Sequence, residues 1–176
     1  PLDAPDNSVF LIKHALVRGS RSNTIDENNI LKDLPNNIYP LYEWNGSMWI
    51  QLGANIGGEA DQDGSGWSVS LNNSGDIVAV GALRNDGGGS NSGHVRVYQY
   101  DGSNWTQVGE DIDGDDNDIE FGFSVSISSS GHMLIVGAPW DDYEEVVGVD
   151  NVGSATVYQY DGNDWVQIGD KIYGQF

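Results

Sequence analysis

Apolar residues along this chain come in short stretches that are separated by glycine-rich turns. Over residues 67–71, Trp67, Val69 and Leu71 alternate with serines, which is the period-two pattern of a strand with one buried face. After a turn that ends in Gly75, residues 77–82 form a continuous apolar run. Such a run predicts a second strand that is buried on both faces.

A third and a fourth strand complete the unit. We expect the third strand over residues 95–100, after a variable loop. The Asp101-Gly102 pair that follows is a strong hairpin signal, so the fourth strand should start near Trp105.

This four-strand unit repeats along the chain. A tryptophan-centred segment aligns without gaps at residues 42–53, 98–109 and 158–169. Its tryptophans, which are 56 and then 60 residues apart, are Trp49, Trp105 and Trp165. Residues 66–71 also match 122–127, and residues 77–82 match 134–138 with an offset of one residue. Because the tryptophan recurs at one position of the unit, we interpret it as a packing residue rather than a ligand platform.

Four antiparallel strands per unit of this length are typical of a β-propeller blade. Neither apolar face of a blade can be buried by that blade alone, but stacking blades face to face buries both. We therefore predict an all-β fold of β-propeller blades with four antiparallel strands each, with a β-solenoid as the structural rival. Closed propellers need about four to eight blades, and this chain holds about three. We expect an incomplete propeller, either part of a larger one or one that other chains complete.

The repeat divides the chain into four predicted parts. They are a degenerate or partial blade over residues 1–56, two full blades over 57–112 and 113–172, and the start of a further blade over 173–176. Within the first part, we expect a second strand over residues 9–17, a long loop over 18–37 and a third strand over 39–44.

Glycine motifs in the full units carry a family resemblance. The stronger copies are Phe121-Gly122-Phe123 and Gly137-Ala138-Pro139, and the weaker ones are Gly66-Trp67 and Gly81-Ala82-Leu83. Over residues 39–176 the chain resembles the FG-GAP repeat, the blade motif of integrin α-subunit propellers and of many bacterial and algal surface proteins. The resemblance implies an extracellular or cell-surface protein that acts in adhesion or ligand recognition.

The chain departs from the integrin-like pattern at one place. Integrin-like blades carry an aspartate-rich calcium loop between their first two strands. The corresponding hairpins here, residues 72–76 and 128–132, hold no cluster of carboxylates. Because calcium takes about six to eight oxygen ligands, that calcium site should not be transferred to these hairpins.

Composition narrows the possible partners. Seven Lys and Arg against 27 Asp and Glu give a net charge of −20, which disfavours nucleic acid and anionic membrane surfaces. No apolar run is long enough for membrane insertion. The absence of cysteine excludes disulfides, thiolate zinc sites and a Cys nucleophile. The acidity either serves only solubility or attracts divalent cations and basic partners.

Most carboxylates fall in the loops between strands two and three and in those that join successive blades. In an up-and-down blade these loops lie at one end, so we predict one strongly negative propeller face. The best calcium candidates within it are Asp111, Asp113, Asp115, Asp116 and Asp118. Alternate carboxylates around a glycine could wrap one hard cation, and the alternative is a solvated acidic loop. We expect no other cofactor.

A second loop offers a ligand-binding candidate, formed by Trp140, Asp141, Asp142 and Tyr143. Its aromatic rings could stack on a sugar, and Asp141 with Glu144 would serve a carbohydrate hydrolase. We nevertheless expect no enzyme, because adjacent acids on one loop are usually solvated. His14, His94 and His132 are too scattered for a triad or a zinc cluster, and we place His94 and His132 at the surface.

Three sequons on predicted turns mark possible N-glycosylation, at Asn45, Asn72 and Asn104. The function that we expect is a non-catalytic extracellular or surface propeller segment for adhesion, assembly or ligand binding through its acidic loop face. Its partner would be a protein or a glycan. One alternative is a structural subunit whose incomplete blades pair with other chains in a filament or large complex. A second is a propeller that binds or hydrolyses carbohydrate.

Overall fold

The computed structural model describes residues 22–25, 31–34, 38–45, 47–142 and 151–175. Within these residues all regular structure is β, which confirms the predicted fold class. No helix in the described part is long and apolar enough to cross a membrane.

The strands are β1 (Ser22–Ile25), β2 (Leu31–Leu34), β3 (Ile38–Trp44), β4 (Trp49–Gly57), β5 (Ser65–Leu71), β6 (Ile77–Ala82), β7 (His94–Tyr100), β8 (Trp105–Gln107), β9 (Ile112–Asp113), β10 (Ser124–Ile127), β11 (Met133–Ala138), β12 (Ser154–Tyr160), β13 (Trp165–Gln167) and β14 (Ile172–Tyr173). Antiparallel pairing joins β5-β6-β7-β8 into one sheet and β10-β11-β12-β13 into another. We call these sheets the first blade and the second blade. Strands β3 and β4 form a two-stranded sheet, and so do β1 and β2.

The four-strand unit predicted from the sequence is confirmed, since each of its strands pairs with the next along the chain. In the first part of the chain, the expected third strand is present as β3. The expectation of a long loop over residues 18–37 is wrong, because β1 and β2 are paired antiparallel strands within that range. The strand expected over residues 9–17 lies outside the described residues, and the division at residues 56, 112 and 172 stays a prediction.

The outer strand of each blade is broken. In the first blade both β8 and β9 pair with β7, and residues 108–111 bulge out between them. Val108 N still donates to Val97 O at 2.8 Å, and Gly109 then turns the chain at a φ of +77°. A residue with a Cβ would be strained there. Strands β13 and β14 repeat this arrangement on β12.

The continuous apolar strand β6 is buried on both faces, as its sequence predicts. Val78 and Val80 pack with Ile56 of β4 on one face. On the other face Ala79 packs with Val95 and Val97 of β7 in the cluster that joins the two blades. The first blade is therefore covered on both sides by neighbouring sheets.

The second blade supplies the other half of that inter-blade core. Leu134, Val136 and Ala138 of β11 are each no more than 1% exposed and belong to the same cluster as Ala79. Ile119 and Phe121, on the connection between the blades, are buried in it too. Full burial of one such aliphatic side chain contributes about 1.5–3 kcal/mol, so the shared core dominates the contact between the blades.

The repeating tryptophan adds a hydrogen bond between sheets. Trp105 Nε1 donates to Leu52 O at 2.9 Å, and Trp165 Nε1 donates to Val108 O at 3.0 Å. The accepting carbonyls are 56 residues apart in sequence and lie at the same position of the repeat. Each of these hydrogen bonds joins a blade to the sheet that precedes it in the chain. This supports the interpretation of Trp105 and Trp165 as packing residues.

The outward face of the second blade is left open. Strand β11 is buried only at alternate positions, and Met133 and Ile135 are 37% and 41% exposed. Ile172 of β14 is 60% exposed, whereas Ile112, at the same place in the first blade, is 7% exposed. This face of the second blade therefore corresponds to the face of the first blade that the second blade covers, and its apolar side chains are exposed.

Candidate functional site

The loops that carry most of the acid meet at one end of the two blades and enclose an open cavity of about 800 Å³. They follow β4 and β9, where one blade leads to the next, and β6 and β11, within each blade. The carboxylates that line the cavity are Asp61, Asp63, Asp86, Asp118 and Glu120, and Trp140 lies beside them. We call this cavity, with these six residues, the acidic cleft.

One wall of the acidic cleft is fixed by a buried aspartate. Asp63 is 8% exposed, and its Oδ2 accepts from Asn85 Nδ2 and from Ala60 N, both at 3.1 Å. Its backbone carbonyl accepts from Arg84 N at 2.9 Å. Asp63 thus ties the loop before β5 to the loop after β6.

The facing wall is held by a second set of contacts. Asn91 Nδ2 donates to Asp118 Oδ1 at 2.9 Å, and Asp118 N donates to Ser90 O at 2.8 Å. Trp140 Nε1 donates to Glu120 Oε2 at 3.0 Å, while the Trp140 side chain stays 51% exposed. The cleft therefore combines carboxylates in fixed positions with one accessible aromatic face.

The five carboxylates predicted to bind calcium have separate surroundings. Asp111 pairs with Arg96, Asp115 with Lys171, and Asp118 with Asn91. Asp116 accepts from Asn117 N, and Asp113 lies beside His94. Among the described residues, the one group of side chains close enough to share an ion includes only Asp111 of these five. Calcium binding by this run stays a prediction.

The predicted ligand loop is only partly directed at the cleft. Of its described residues, Trp140 lines the cavity, whereas Asp141 is 4% exposed. Asp141 Oδ2 accepts from Ser154 Oγ at 2.5 Å and from Lys171 Nζ at 2.9 Å. Asp142 accepts from Asn151 N. Tyr143 and Glu144 lie outside the described residues, so carbohydrate binding or hydrolysis stays a prediction.

The three candidate glycosylation sites differ in exposure. Asn45 and Asn104 are exposed on turns. Asn72 is 7% exposed, and its Nδ2 donates to Ser74 Oγ and Asp76 Oδ1 inside the hairpin between β5 and β6. Hydrogen bonds to Ser74 and Asn72 lower the pKa of Asp76 in this hairpin. Glycosylation of any of the three stays a prediction.

The surface location expected for His94 is wrong, whereas His132 is exposed as expected. His94 is 2% exposed because β7 carries it into the interior beneath the bulge between β8 and β9. Burial lowers the pKa of its ring, and the nearby Arg96 guanidinium lowers it further. The sequence showed no signal for this, since its neighbours Glu59 and Asp111 come from other elements.

Lys171 joins the loop that contains Asp115 to the loop that contains Asp141. Its Nζ contacts Asp115 Oδ1 at 2.6 Å and Asp141 Oδ2 at 2.9 Å. Burial alone would lower the pKa of Lys171, but the hydrogen bonds to the two carboxylates outweigh it and raise that pKa. The Asp141 side chain is 6% exposed, so Lys171 compensates a carboxylate that has little access to water.

We predict that Lys171→Met lowers the free energy of unfolding by about 3–5 kcal/mol, because it leaves Asp141 as a buried charge without its cationic partner. Asp115→Asn is the matched control, since Asp115 is 66% exposed in the same ion-pair group. It should cost no more than about 1 kcal/mol. Urea unfolding of both variants measures the difference, and equal losses would contradict the assignment.

Comparison with known proteins gives one family. The sequence model of the FG-GAP repeat matches residues 105–158, from the start of β8 to within β12. The match therefore spans the outer strand of the first blade and most of the second, including both stronger glycine motifs. No curated protein matches the chain.

Proposed function

We propose, from the premise that the chain carries an FG-GAP repeat, that it is a non-catalytic propeller segment of the cell surface or extracellular space. In this proposal it binds a basic segment of a protein partner in the acidic cleft. The observation that carries the proposal is the cleft itself, in which five carboxylates from three loops surround one cavity of about 800 Å³.

Electrostatics supports a basic ligand. The chain carries a net charge of −20, and Arg84 is the one cationic side chain among the described residues that line the cavity. Carboxylates grouped in a cleft raise the local concentration of cations and steer basic partners toward it. Backbone and amide groups donate hydrogen bonds to Asp63 and Asp118, and these bonds fix the positions of the two carboxylates.

Trp140 favours arginine among the basic side chains. Its ring is 51% exposed at the edge of the cleft, and its indole nitrogen is held by Glu120. A guanidinium that stacks on this ring would gain about 0.5–1 kcal/mol while a neighbouring carboxylate accepts its hydrogen bonds. The ligand class that fits best is therefore an arginine-rich peptide segment.

We predict that a fluorescein-labelled hexa-arginine peptide binds the protein and that Asp61→Asn with Asp86→Asn weakens binding roughly tenfold. Asn at position 86 keeps an acceptor for Asn91 N, which now donates to Asp86 Oδ1, so the loop should stay folded. Fluorescence anisotropy at two salt concentrations measures the affinity.

The control is Asp101→Asn with Asp161→Asn at the opposite end of the blades. Both aspartates are exposed and accept backbone hydrogen bonds in their turns, a role that asparagine retains. This pair of changes removes the same charge. If it weakens peptide binding as much as the cleft variant does, attraction to the total charge explains the binding and the cleft proposal fails.

The second candidate function is a structural subunit, and the open face of the second blade favours it. Strand pairing in the second blade lines up the residues of this face in rows across the sheet. Met133 is in line with Val166, Ile135 with Val157, and Gly137 with Ile172. An apolar sheet face of this kind is normally covered. The occupant that we propose is a blade from a second copy of the chain.

We predict that the protein self-associates in sedimentation velocity and that Ile135→Lys shifts it toward the monomer, since a charge on the face would have to be buried. Thr106→Lys is the control. Thr106 occupies in the first blade the position that Val166 occupies in the second, and it is exposed. A wild-type protein that stays monomeric at high concentration would remove this candidate.

A further inference from the structure

A buried histidine of the first blade faces three carboxylates from two other parts of the chain. His94 is 2% exposed, and its Nδ1 has no hydrogen-bond partner. Glu59 Oε2, Asp111 Oδ2 and Asp113 Oδ1 each lie 3.9 Å from that nitrogen. A buried polar atom is rarely left unpaired, so this nitrogen requires an explanation.

We propose that His94, Glu59, Asp111 and Asp113 form a binding site for a divalent first-row transition metal ion, with Zn²⁺ as the reference cation. Imidazole nitrogen and carboxylate oxygen are both ligands that Zn²⁺ takes, at about 2.0–2.2 Å. The four residues lie on three segments, namely the loop after β4, strand β7, and the bulge with β9.

The separations suit one shared ion. The ligand atoms of Glu59, His94 and Asp111 all lie within 4.8 Å of one another. Four ligands around a tetrahedral zinc ion lie about 3.4 Å apart, so Glu59, His94 and Asp111 must move closer together, and Asp113, which lies 3.9 Å from His94 Nδ1 but outside that group of three, must move furthest. Glu59 and Asp113 are 45% and 39% exposed and can make that movement.

The local charge also matches a divalent ion. Arg96 hydrogen-bonds both oxygens of Asp111, at 2.8 and 2.6 Å, and pairs with Glu59 Oε1. Three carboxylates and one guanidinium leave a charge of −2, which one divalent cation neutralises. Arg96 holds Glu59 through the oxygen that faces away from His94 and shares Asp111 Oδ2 with the proposed ion, so it positions both carboxylates as outer partners of metal ligands commonly do.

The second blade places a cation of its own at the equivalent position. In the second blade Ser154 pairs with Tyr173, and in the first blade His94 pairs with Asp113. Lys171 lies two residues before Tyr173, so its position in the second blade corresponds to that of Asp111 in the first. Lys171 Nζ lies between Asp115, the repeat equivalent of Glu59, and Asp141, the equivalent of Asn85. The first blade has Asp111 at this point and His94 in the place of Ser154, and its cation is Arg96 of β7, which pairs with Glu59 and Asp111.

The ligand set distinguishes this site from the calcium run predicted by sequence. Calcium prefers about six to eight oxygens, whereas one nitrogen and three carboxylates suit the lower coordination number of zinc. None of Glu59, His94, Asp111 and Asp113 lines the acidic cleft, so the site stands apart from the proposed ligand-binding function.

The test is isothermal titration of the whole 176-residue protein, prepared with chelator and freed of it, with ZnCl₂ and separately with CaCl₂. We expect one saturable Zn²⁺ site, and Co²⁺ should give the visible absorption of a tetrahedral complex. His94→Gln should abolish this site, and Asp113→Asn should weaken it at least tenfold. Since Asp113 is partly exposed, the second variant should fold even if the first does not.

Asp118→Asn is the matched control, because Asp118 lies in the same acidic connection but outside the cluster. It should leave Zn²⁺ affinity unchanged. The proposal is overturned if folded Asp113→Asn binds Zn²⁺ like the wild type, if Asp118→Asn loses as much affinity, or if Ca²⁺ binds the site as tightly as Zn²⁺.

Discussion

Burial of apolar sheet faces between successive blades is the interaction on which the rest of this structure depends. Ala79, Val95 and Val97 of the first blade have almost no exposed surface because Leu134 and Val136 of the second blade lie against them. The sheet hydrogen bonds lie within each blade and cannot supply this contact. The stacking also brings the loops of neighbouring blades together at one end, and the acidic cleft is a consequence of that geometry.

Much of the fold could be predicted because its elements are local. The continuous apolar run predicted β6 with the bounds that the structure shows, and the Asp101-Gly102 turn predicted where β8 begins. Strand β5 begins two residues before the predicted start because Ser65 pairs with Ala82 across a bulge. Strand β9 was missed because two residues carry no periodic signal, and its pairing depends on the bulge before it.

The candidate site could be predicted only in part. Strand connectivity determines which end of a blade a loop occupies, so the acidic end followed from the sequence. Connectivity does not determine which side chains turn inward. Asp141 is buried because Lys171 reaches it from a position 30 residues later in the chain, and His94 is buried beside Glu59, 35 residues earlier. Partners so distant leave no local pattern, which is why a surface position was expected for His94.

The stacking of the blades is tested most directly by the accessibility of two equivalent positions. The chain has no cysteine, so Ile112→Cys and Ile172→Cys each introduce a single thiol at the same place in the two blades. Ile112 is 7% and Ile172 60% exposed. At a protein concentration where the chain is monomeric, labelling with a thiol reagent under native conditions should be rapid at position 172, whereas labelling at position 112 should require unfolding. Equal, rapid labelling at both positions in folded protein would contradict the face-to-face stacking of the blades.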